Sequence, residues 1–119
     1  MLFRSRCFTD VRDVVRAITA LMGADQALGE VFNVGQSSEI SIEGLARRIL
    51  DLAESNSEIS LVPYDQAFAS GEFEDMRRRV PNVEKLRRVV GFSPAIPLEE
   101  TLGHIVEERR SRLASGQPA

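Results

Sequence analysis

Hydrophobic residues recur at helical spacing in two long stretches of the chain. In residues 11–22 they stand three or four positions apart, with Asp10 as the predicted N-cap and Gly23 as the stop. The second stretch follows Ser41 and keeps a 3.6-residue period through residues 42–53 almost without fault. The pattern therefore predicts two amphipathic helices, and the second is the more regular.

Two further helices are predicted in the last third of the chain. A short helix is predicted over residues 82–90, with Asn82 as its cap and Gly91 as its stop. A final helix is predicted over residues 98–113, because its first turn is acidic and its last turn holds arginines, which suits the helix dipole. The tail, residues 115–119, is expected to fray.

Strand patterns are fewer and shorter. Residues 29–35, "GEVFNVG", form a mostly apolar run between glycines, and residues 58–64, "EISLVPY", alternate imperfectly because Val62 is apolar on the polar side. Residues 65–81 show no period and are predicted to be a loop. A lone pair of strands is marginal in water. We therefore expect the apolar strand at 29–35 to join a larger sheet that this chain does not supply.

These patterns predict one helix-rich, mixed α/β domain over residues 1–119 with two or three short strands. The net charge of −3 and the pI of about 5.2 argue against nucleic-acid binding, which needs an extended basic face. The single Cys7 excludes an intramolecular disulfide and a cysteine-based zinc site. No apolar run approaches the ~20 residues of a membrane span, and no signal-peptide pattern begins the chain. We expect a soluble, cytoplasmic domain.

The basic residues cluster in the segment "MRRRVPNVEKLRR" at residues 76–88. Lys85 is the one lysine among the chain's fifteen basic residues, so an arginine-rich stretch here carries less functional weight than it would elsewhere. Arg6 and the run 77–79 are the best candidates for a phosphate, because a planar guanidinium contacts phosphate oxygens in pairs. The alternative is that these arginines only form surface ion pairs, each worth roughly 0–1 kcal/mol.

Other chemistry has less support. The eight glycines never stand at the close spacing of a dinucleotide-binding turn, and Tyr64 is followed four residues later by Phe68 rather than by a lysine. A cysteine–histidine pair could come only from Cys7 and His104, and His104 is expected on a helix surface or half-buried. The 65–81 loop contains three neighbouring acidic residues, Glu72, Glu74 and Asp75. We expect them to be solvated or paired with arginines; the alternative is a metal-binding or acid–base cluster.

Five motifs in order resemble the carboxy-terminal part of NAD-dependent epimerase/dehydratases, the extended short-chain dehydrogenases that act on nucleotide sugars, UDP-glucose 4-epimerase among them. The resemblance covers residues 6–107. The motifs are R-x-F-x-x-V-x-D-V-V-x-A (6–17), V-F-N-V-G (31–35), S-I-x-x-L-A (41–46), R-x-P-N-x-x-K-L (79–86) and G-F-S-P-x-x-x-L-E-E (91–100).

The resemblance implies roles for particular residues. In the family, arginines at the positions of Arg6 and Arg79 contact the diphosphate of the sugar nucleotide; Arg78 is a less certain neighbour. Asn33 and Gly35 match the end of a strand that joins the Rossmann sheet. Asp13 matches an acidic position for which helix capping gives a structural reason, so it is not a predicted site residue. Asn82 replaces the more frequent Asp of its motif, a mild departure.

The family's NAD-binding turn and its catalytic Tyr and Lys lie upstream of the matched region. The resemblance therefore implies a substrate-binding portion that holds no cofactor, while NAD belongs to the full-length enzyme. Alone it should not catalyse and should bind a nucleotide sugar weakly at most. The partners implied are a nucleotide-diphosphate sugar and a Rossmann domain, in the same or a separate chain. The alternatives are a stand-alone binding or regulatory module that pairs with a Rossmann subunit or dimerises, and a helical interaction domain with only surface arginine pairs.

Overall fold

The computed structural model describes residues 5–63, 66 and 78–116. Its strands are β1 (Ser5–Cys7), β2 (Glu39–Ser41) and β3 (Arg78–Arg79). Its α-helices are α1 (Val11–Met22), α2 (Ile42–Ala53), α3 (Glu84–Val90) and α4 (Leu98–Ala114), and a single 3-10 turn covers Asp25–Ala27. Three strands among four helices in the described part confirm the predicted helix-rich α/β class.

The two helices with the clearest hydrophobic period are confirmed together with their caps. The side chain of Asp10 accepts a hydrogen bond from the backbone N–H of Arg12 at 2.8 Å, and Gly23 follows the last turn of α1. At the start of α2 the hydroxyl of Ser41 accepts from the N–H of Gly44 at 3.0 Å. Each cap satisfies a backbone donor that the helix itself leaves without a partner.

The two later helices are also confirmed, with small changes at their ends. Helix α3 begins at Glu84, one residue later than the predicted cap Asn82 requires, but the Asn82 side chain still accepts a hydrogen bond from the Glu84 N–H at 3.0 Å. Gly91 ends α3 with a left-handed φ of 64°, which glycine adopts without a Cβ clash. Helix α4 extends one residue beyond prediction, to Ala114.

The two predicted strands are not part of the described sheet. Neither residues 29–35 nor residues 58–63 pair as a strand in the described structure; Tyr64, the last residue of the second prediction, lies outside the described residues. Phe32 and Val34 pack on the core, and the expectation that the segment 29–35 joins a sheet from outside this chain stays a prediction. The predicted 65–81 loop lies mostly outside the described residues, but its residues 78–79 form β3.

The sheet is small and mixed, with the strand order β2–β1–β3. Strand β1 pairs with β2 antiparallel, with Arg6 opposite Ile40, and with β3 parallel, with Arg6 opposite Arg79. Strands of two or three residues carry too few positions for a periodicity to be visible in the sequence. The sheet therefore depends on long-range pairing that no local pattern predicts.

The core lies where α1, α3 and the segment after α3 meet. Ala17, Leu86 and Phe92 are its buried centre. Partly buried apolar side chains complete it, namely Leu21, Phe32, Val34 and Val90. Within the described residues this core is modest. Polar contacts between the helices therefore contribute much to how the helices are arranged.

The most deeply placed of these polar contacts is the carboxylate of Asp13, whose residue is 0% exposed. One oxygen accepts from the backbone N–H groups of Ala95 and Ile96, at 3.0 and 2.9 Å. The other accepts from the Arg16 guanidinium at 2.7 Å, and that guanidinium also lies 5.3 Å from the centre of the Phe92 ring. Asp13 thereby joins α1 to the chain that leads into α4, so its role is structural but is not the helix capping that the sequence suggested.

Asp10 makes a second link between the same two helices. Its carboxylate accepts from the Thr101 hydroxyl of α4 at 2.8 Å and from the Arg12 side chain at 2.9 Å through each oxygen. The side-chain hydrogen bonds from Arg12, followed by the Arg12 backbone N–H, hold the pKa of Asp10 well below its usual range. The same pair raises the pKa of Arg12.

Replacing Asp13 should destabilise the fold in a graded way. Asp13→Ala leaves two part-buried backbone N–H donors without their acceptor, at up to about 1–3 kcal/mol each, so we expect the free energy of unfolding to fall by about 2–6 kcal/mol. Asp13→Asn keeps one oxygen for Ala95 and Ile96 and should cost less than half as much. Urea unfolding followed by circular dichroism measures both, with the exposed Asp51→Ala as the control. Equal losses for Ala and Asn would contradict the anchoring role.

Acid should unfold the chain partly through Asp10. Its pKa is lowered in the folded state, so its stabilisation is complete above the usual value of 3.8 and is lost as the pH falls through the folded pKa. We expect the urea midpoint to vary little through Asp10 between pH 7 and 5 and to fall below pH ~4. Asp10→Asn should lower the midpoint at pH 7 and make the acid decline shallower. The exposed Asp25→Asn serves as control, and an unchanged acid slope in Asp10→Asn would refute the assignment.

Candidate functional site

The structure brings the two main candidate arginines side by side. Arg6 of β1 and Arg79 of β3 are register partners in a parallel pair, so both belong to one face of the sheet. Neighbouring strands are about 4.8 Å apart, a separation at which two guanidinium groups can act on one ligand. Arg6 is half-buried, and Arg79 is exposed. The Arg6 guanidinium donates a hydrogen bond from Nη1 to the Ser5 carbonyl at 2.8 Å, which restricts its position.

A junction of three chain segments holds β1 and β3 together beyond their short ladder. Thr9, two residues after β1, accepts a hydrogen bond from the Gln36 N–H at 2.8 Å. Asn33 donates from its side-chain amide to the Asn82 carbonyl at 3.2 Å, three residues after β3. The segment 31–36 thus contacts the residues that follow both arginine-bearing strands. Three of the five sequence motifs meet at this junction.

Gly35 lies at the centre of the junction because no larger residue fits there easily. A Cβ at Gly35 would stand 3.0 Å from Cγ of Pro81 and 3.5 Å from the Thr9 hydroxyl. Gly35 is buried, and the Pro81 ring occupies the space where its side chain would be. The close packing of Gly35 against Pro81 is therefore a structural reason for the glycine of the V-F-N-V-G motif and for the proline of the R-x-P-N-x-x-K-L motif.

Lys85 of α3 contacts the start of this segment, at residues 30–32. Its ammonium donates to the Glu30 carboxylate at 2.6 Å and to the Val31 carbonyl at 3.0 Å, and it lies 4.8 Å from the centre of the Phe32 ring. The Lys85 hydrogen bond is the main cause that lowers the pKa of Glu30, and the attraction between the charges adds to it. The lysine of the R-x-P-N-x-x-K-L motif therefore has a positioning role.

Of the other candidates, the structure describes the backbone of Arg78 and the whole of His104. The backbone of Arg78 pairs with Ser5, one register position away from the Arg6–Arg79 pair, whereas Arg77 lies outside the described residues. His104 is exposed on α4, as the sequence predicted. The acidic residues 72–75 also lie outside the described part of the chain. Among residues 5–63, 66 and 78–116, no group of three His, Cys, Asp or Glu side chains could hold a metal ion.

A cleft of about 250 Å³ lies beside β2 and the start of α4, and its lining does not include Arg6 or Arg79. Its polar rim includes an ion pair between Arg48 of α2 and Glu99 of α4. A cleft of this volume is at the low end for a small-molecule pocket. This cleft is therefore separate from the paired arginines in the part of the chain that the structure describes.

The sequence did not predict the sheet that pairs the arginines or the place of Ile40 in it. Ile40 is the β2 register partner of Arg6, and a Cβ added at Gly44 in the first turn of α2 would lie 3.4 Å from its Cγ1. The only local signal in the sequence was Ile40, the one apolar residue just before the Ser41 cap in "SEISI". One apolar residue is too little pattern to predict a strand.

Curated relatives match most of the chain but only part of their own length. The UDP-N-acetyl-alpha-D-glucosaminuronate decarboxylase of Bacillus cytotoxicus is 36% identical over 104 residues, which are 87% of this chain and 32% of that protein. The UDP-glucuronic acid decarboxylase 1 of Xenopus tropicalis is 34% identical over 110 residues, which are 92% of this chain and 24% of that protein. The chain thus spans about a quarter to a third of these relatives. No protein-family model matches the sequence.

Solved structures also match most of this chain but only about a third of their own length. A UDP-glucose 4-epimerase from Thermotoga maritima, solved with UDP-glucose, matches with a TM-score of 0.79 and 27% identity over 93% of this chain and 33% of its own. The Bordetella bronchiseptica enzyme WbmF, solved with NAD+ and UDP, matches with a TM-score of 0.73 and 28% identity over 95% of this chain and 32% of its own.

The matched proteins define a class of NAD-dependent enzymes that act on nucleotide sugars, and the chain corresponds to about one third of such a protein. They confirm the resemblance to the NAD-dependent epimerase/dehydratase family that the five motifs indicated. In the described part of the chain, no helix is long and apolar enough to cross a membrane.

Removing the Lys85 ammonium should loosen the segment beside the arginines. We expect Lys85→Met to speed the hydrogen exchange of the amides of residues 31–34 by about two- to fivefold, because the ion pair and the ring contact are lost. The same change at Arg88, an exposed residue of the same helix, is the control. Exchange that is equally fast in both variants would contradict a positioning role for Lys85.

Proposed function

We propose that the chain is the nucleotide-sugar-binding, carboxy-terminal portion of an NAD-dependent sugar epimerase/dehydratase similar to UDP-glucose 4-epimerase, and that it does not catalyse alone. The observation that carries the proposal is the register pairing of Arg6 with Arg79 on one face of the sheet. Two adjacent guanidinium groups suit a diphosphate, because each can donate two parallel hydrogen bonds to phosphate oxygens. The ligands named with matched structures, UDP-glucose and UDP, carry this group.

In this proposal the arginines bind and orient the diphosphate, so that the sugar projects away from the sheet. Half-buried Arg6 is the fixed contact, because its Nη1 also donates to the Ser5 carbonyl. Exposed Arg79 closes on the diphosphate from the neighbouring strand. Holding the diphosphate fixes the position of the attached sugar, which is a contribution of orientation and not of bond making.

We propose that this chain itself holds no nicotinamide cofactor. A dinucleotide needs a glycine-rich turn at a helix N-terminus whose N–H groups face the pyrophosphate. The N-termini of α1 and α2 are instead occupied by their own caps, Asp10 and Ser41, and the glycines never have the required spacing. NAD, which accepts and returns a hydride in such enzymes, is therefore proposed to be held by the portion of the longer relatives that this chain does not match.

A second candidate function is a separate binding or regulatory module that pairs with a Rossmann subunit or with its own copy. The uncovered apolar side chains of the described structure favour it as much as they favour a piece of one enzyme. The single Cys7 suits a reducing compartment, and we propose the cytoplasm for either candidate. Sedimentation velocity separates a monodisperse module from a self-associating fragment.

The proposed diphosphate contact is tested by titrating the isotope-labelled chain with UDP and observing amide shifts by NMR, a method that detects weak binding. We expect shifts that centre on β1 and β3 with UDP and are absent with uridine, which lacks phosphate. Arg6→Gln with Arg79→Gln should weaken binding about tenfold or more, because two charge-assisted contacts are lost.

The matched control for this test is Arg87→Gln with Arg88→Gln, which removes the same charge from exposed positions of α3. Binding in the control should change less than twofold. Equal weakening in both double variants would mean that net charge and not the arginine pair attracts UDP. Unchanged affinity in the Arg6/Arg79 variant would favour the interaction domain with only surface ion pairs.

A further inference from the structure

The cleft beside β2 and the start of α4 combines an apolar part with charges of both signs. Its volume is about 250 Å³. The apolar part of its lining includes Phe8, Ile40 and Leu98, and the charged part consists of Glu39, Arg48 and Glu99. Small-molecule sites typically pair an apolar surface with a few charged or polar groups that orient the ligand. The cleft therefore has the composition of a ligand site.

Hydrogen bonds fix the chain segments on both sides of the cleft. On the β2 side, the Gln36 N–H donates to the Thr9 hydroxyl at 2.8 Å, which holds the segment before β2 against the residues after β1. On the α4 side, the Ile96 N–H donates to the buried Asp13 carboxylate at 2.9 Å, one residue before Pro97 of the lining. The cleft is therefore preformed, as most small-molecule sites are.

An ion pair lies on the charged side of the cleft and joins two helices. The Arg48 guanidinium of α2 donates to the Glu99 carboxylate of α4, and the two side chains are 49% and 59% exposed. An exposed ion pair of this kind contributes little net free energy, because water solvates both charges when they separate. A ligand can therefore separate the two charges at low cost if it gives each of them a new partner.

The balance of charges indicates which kind of ligand does so. A simple carboxylate would pair with Arg48 but would take that partner from Glu99, in a lining that also holds the Glu39 carboxylate. A simple amine would pair with Glu99 but would take that partner from Arg48. A zwitterion keeps both charges paired, because its carboxylate replaces Glu99 at Arg48 while its ammonium replaces Arg48 at Glu99. An α-amino acid carries both groups on one carbon atom.

We propose that this cleft binds a free α-amino acid with an aliphatic side chain, such as leucine. The carboxylate pairs with Arg48, the ammonium pairs with Glu99, and the side chain packs on the apolar part of the lining. The volume suits so small a ligand, because pockets for drug-sized molecules begin at roughly 300 Å³. The inference goes beyond the proposed function and does not depend on it, since the described lining includes neither Arg6 nor Arg79.

The test is an NMR titration of the isotope-labelled chain with L-leucine and with matched probes that each lack one feature. N-acetyl-L-leucine lacks the ammonium, L-leucinamide lacks the carboxylate, and glycine lacks the aliphatic side chain. We expect L-leucine to shift the amides of residues 38–40 and 98–99 with a dissociation constant of about 1 mM or below. Each matched probe should bind about tenfold more weakly or worse, because each loses one set of contacts.

Variants of the ion pair test the two charge contacts separately. Arg48→Gln should weaken L-leucine binding about tenfold and abolish its advantage over L-leucinamide, because the partner of the carboxylate is removed. Glu99→Gln should weaken L-leucine binding by a similar factor and abolish its advantage over N-acetyl-L-leucine. Arg48→Lys keeps the positive charge and should restore most of the affinity. Circular dichroism checks that each variant keeps its fold, which an exposed ion pair contributes to only weakly.

The matched control is Arg47→Gln, which removes the neighbouring arginine of α2. Arg47 forms an exposed ion pair with Glu43, and neither residue is part of the described lining of the cleft. Binding of L-leucine should change less than about twofold in this control. Equal weakening in Arg47→Gln and Arg48→Gln would overturn the proposal, because net charge would then explain the binding.

The proposal is also overturned if L-leucine causes no shifts up to about 20 mM. Shifts of equal size with all the probes, or shifts that centre on residues outside the cleft, would overturn it as well, because they would show non-specific binding. These titrations contain no UDP. Their failure would leave the diphosphate contact of Arg6 and Arg79 untouched, and failure of the UDP titration would leave the amino-acid site untouched.

Discussion

The buried carboxylate of Asp13 is the contact on which the arrangement of the described helices depends. It accepts two backbone N–H groups from the residues just before α4 and is balanced by the guanidinium of Arg16. Because those donors belong to chain that is not in a regular element, they have few other ways to be satisfied away from water. Asp10 repeats the link one turn earlier through Thr101. Two carboxylates of one helix thus orient the carboxy-terminal helix of a protein whose apolar core is small.

A second set of contacts positions the proposed binding surface. The residues that follow β1 and β3 both contact the segment 31–36, through Thr9, Asn33 and the close approach of Gly35 to Pro81. The arginine-bearing strands are themselves too short to be stable in isolation, because a strand pair of two or three residues forms few hydrogen bonds. The family motifs therefore describe the support of the arginine pair more than the arginines themselves.

The same geometry agrees with the proposal that this chain alone binds a diphosphate weakly. Arg79 is exposed, and neither arginine lines the cleft beside β2. Charge-assisted contacts gain strength when water is excluded, and ligand pockets usually enclose most of the ligand surface. The chain spans about a third of the matched decarboxylase and epimerase, so most of each of those proteins lies outside the matched region.

Sequence patterns alone were enough to predict the four helices, the caps Asp10 and Ser41, and the family resemblance. These follow from local rules: a 3.6-residue period, a capping side chain two or three residues before the N–H that it accepts from, and motifs in a fixed order. The sheet and the contacts of Asp13 with Ala95 and Ile96 are visible only in the tertiary structure. The run "VFNV" was predicted to be a strand of a larger sheet, and within this chain its Phe32 and Val34 pack on the core. Arg6 and Arg79 are 73 positions apart in the sequence, and only the parallel pairing of β1 with β3 brings them together. Strand pairing is long-range, and strands of two or three residues leave no periodic trace from which it could be predicted.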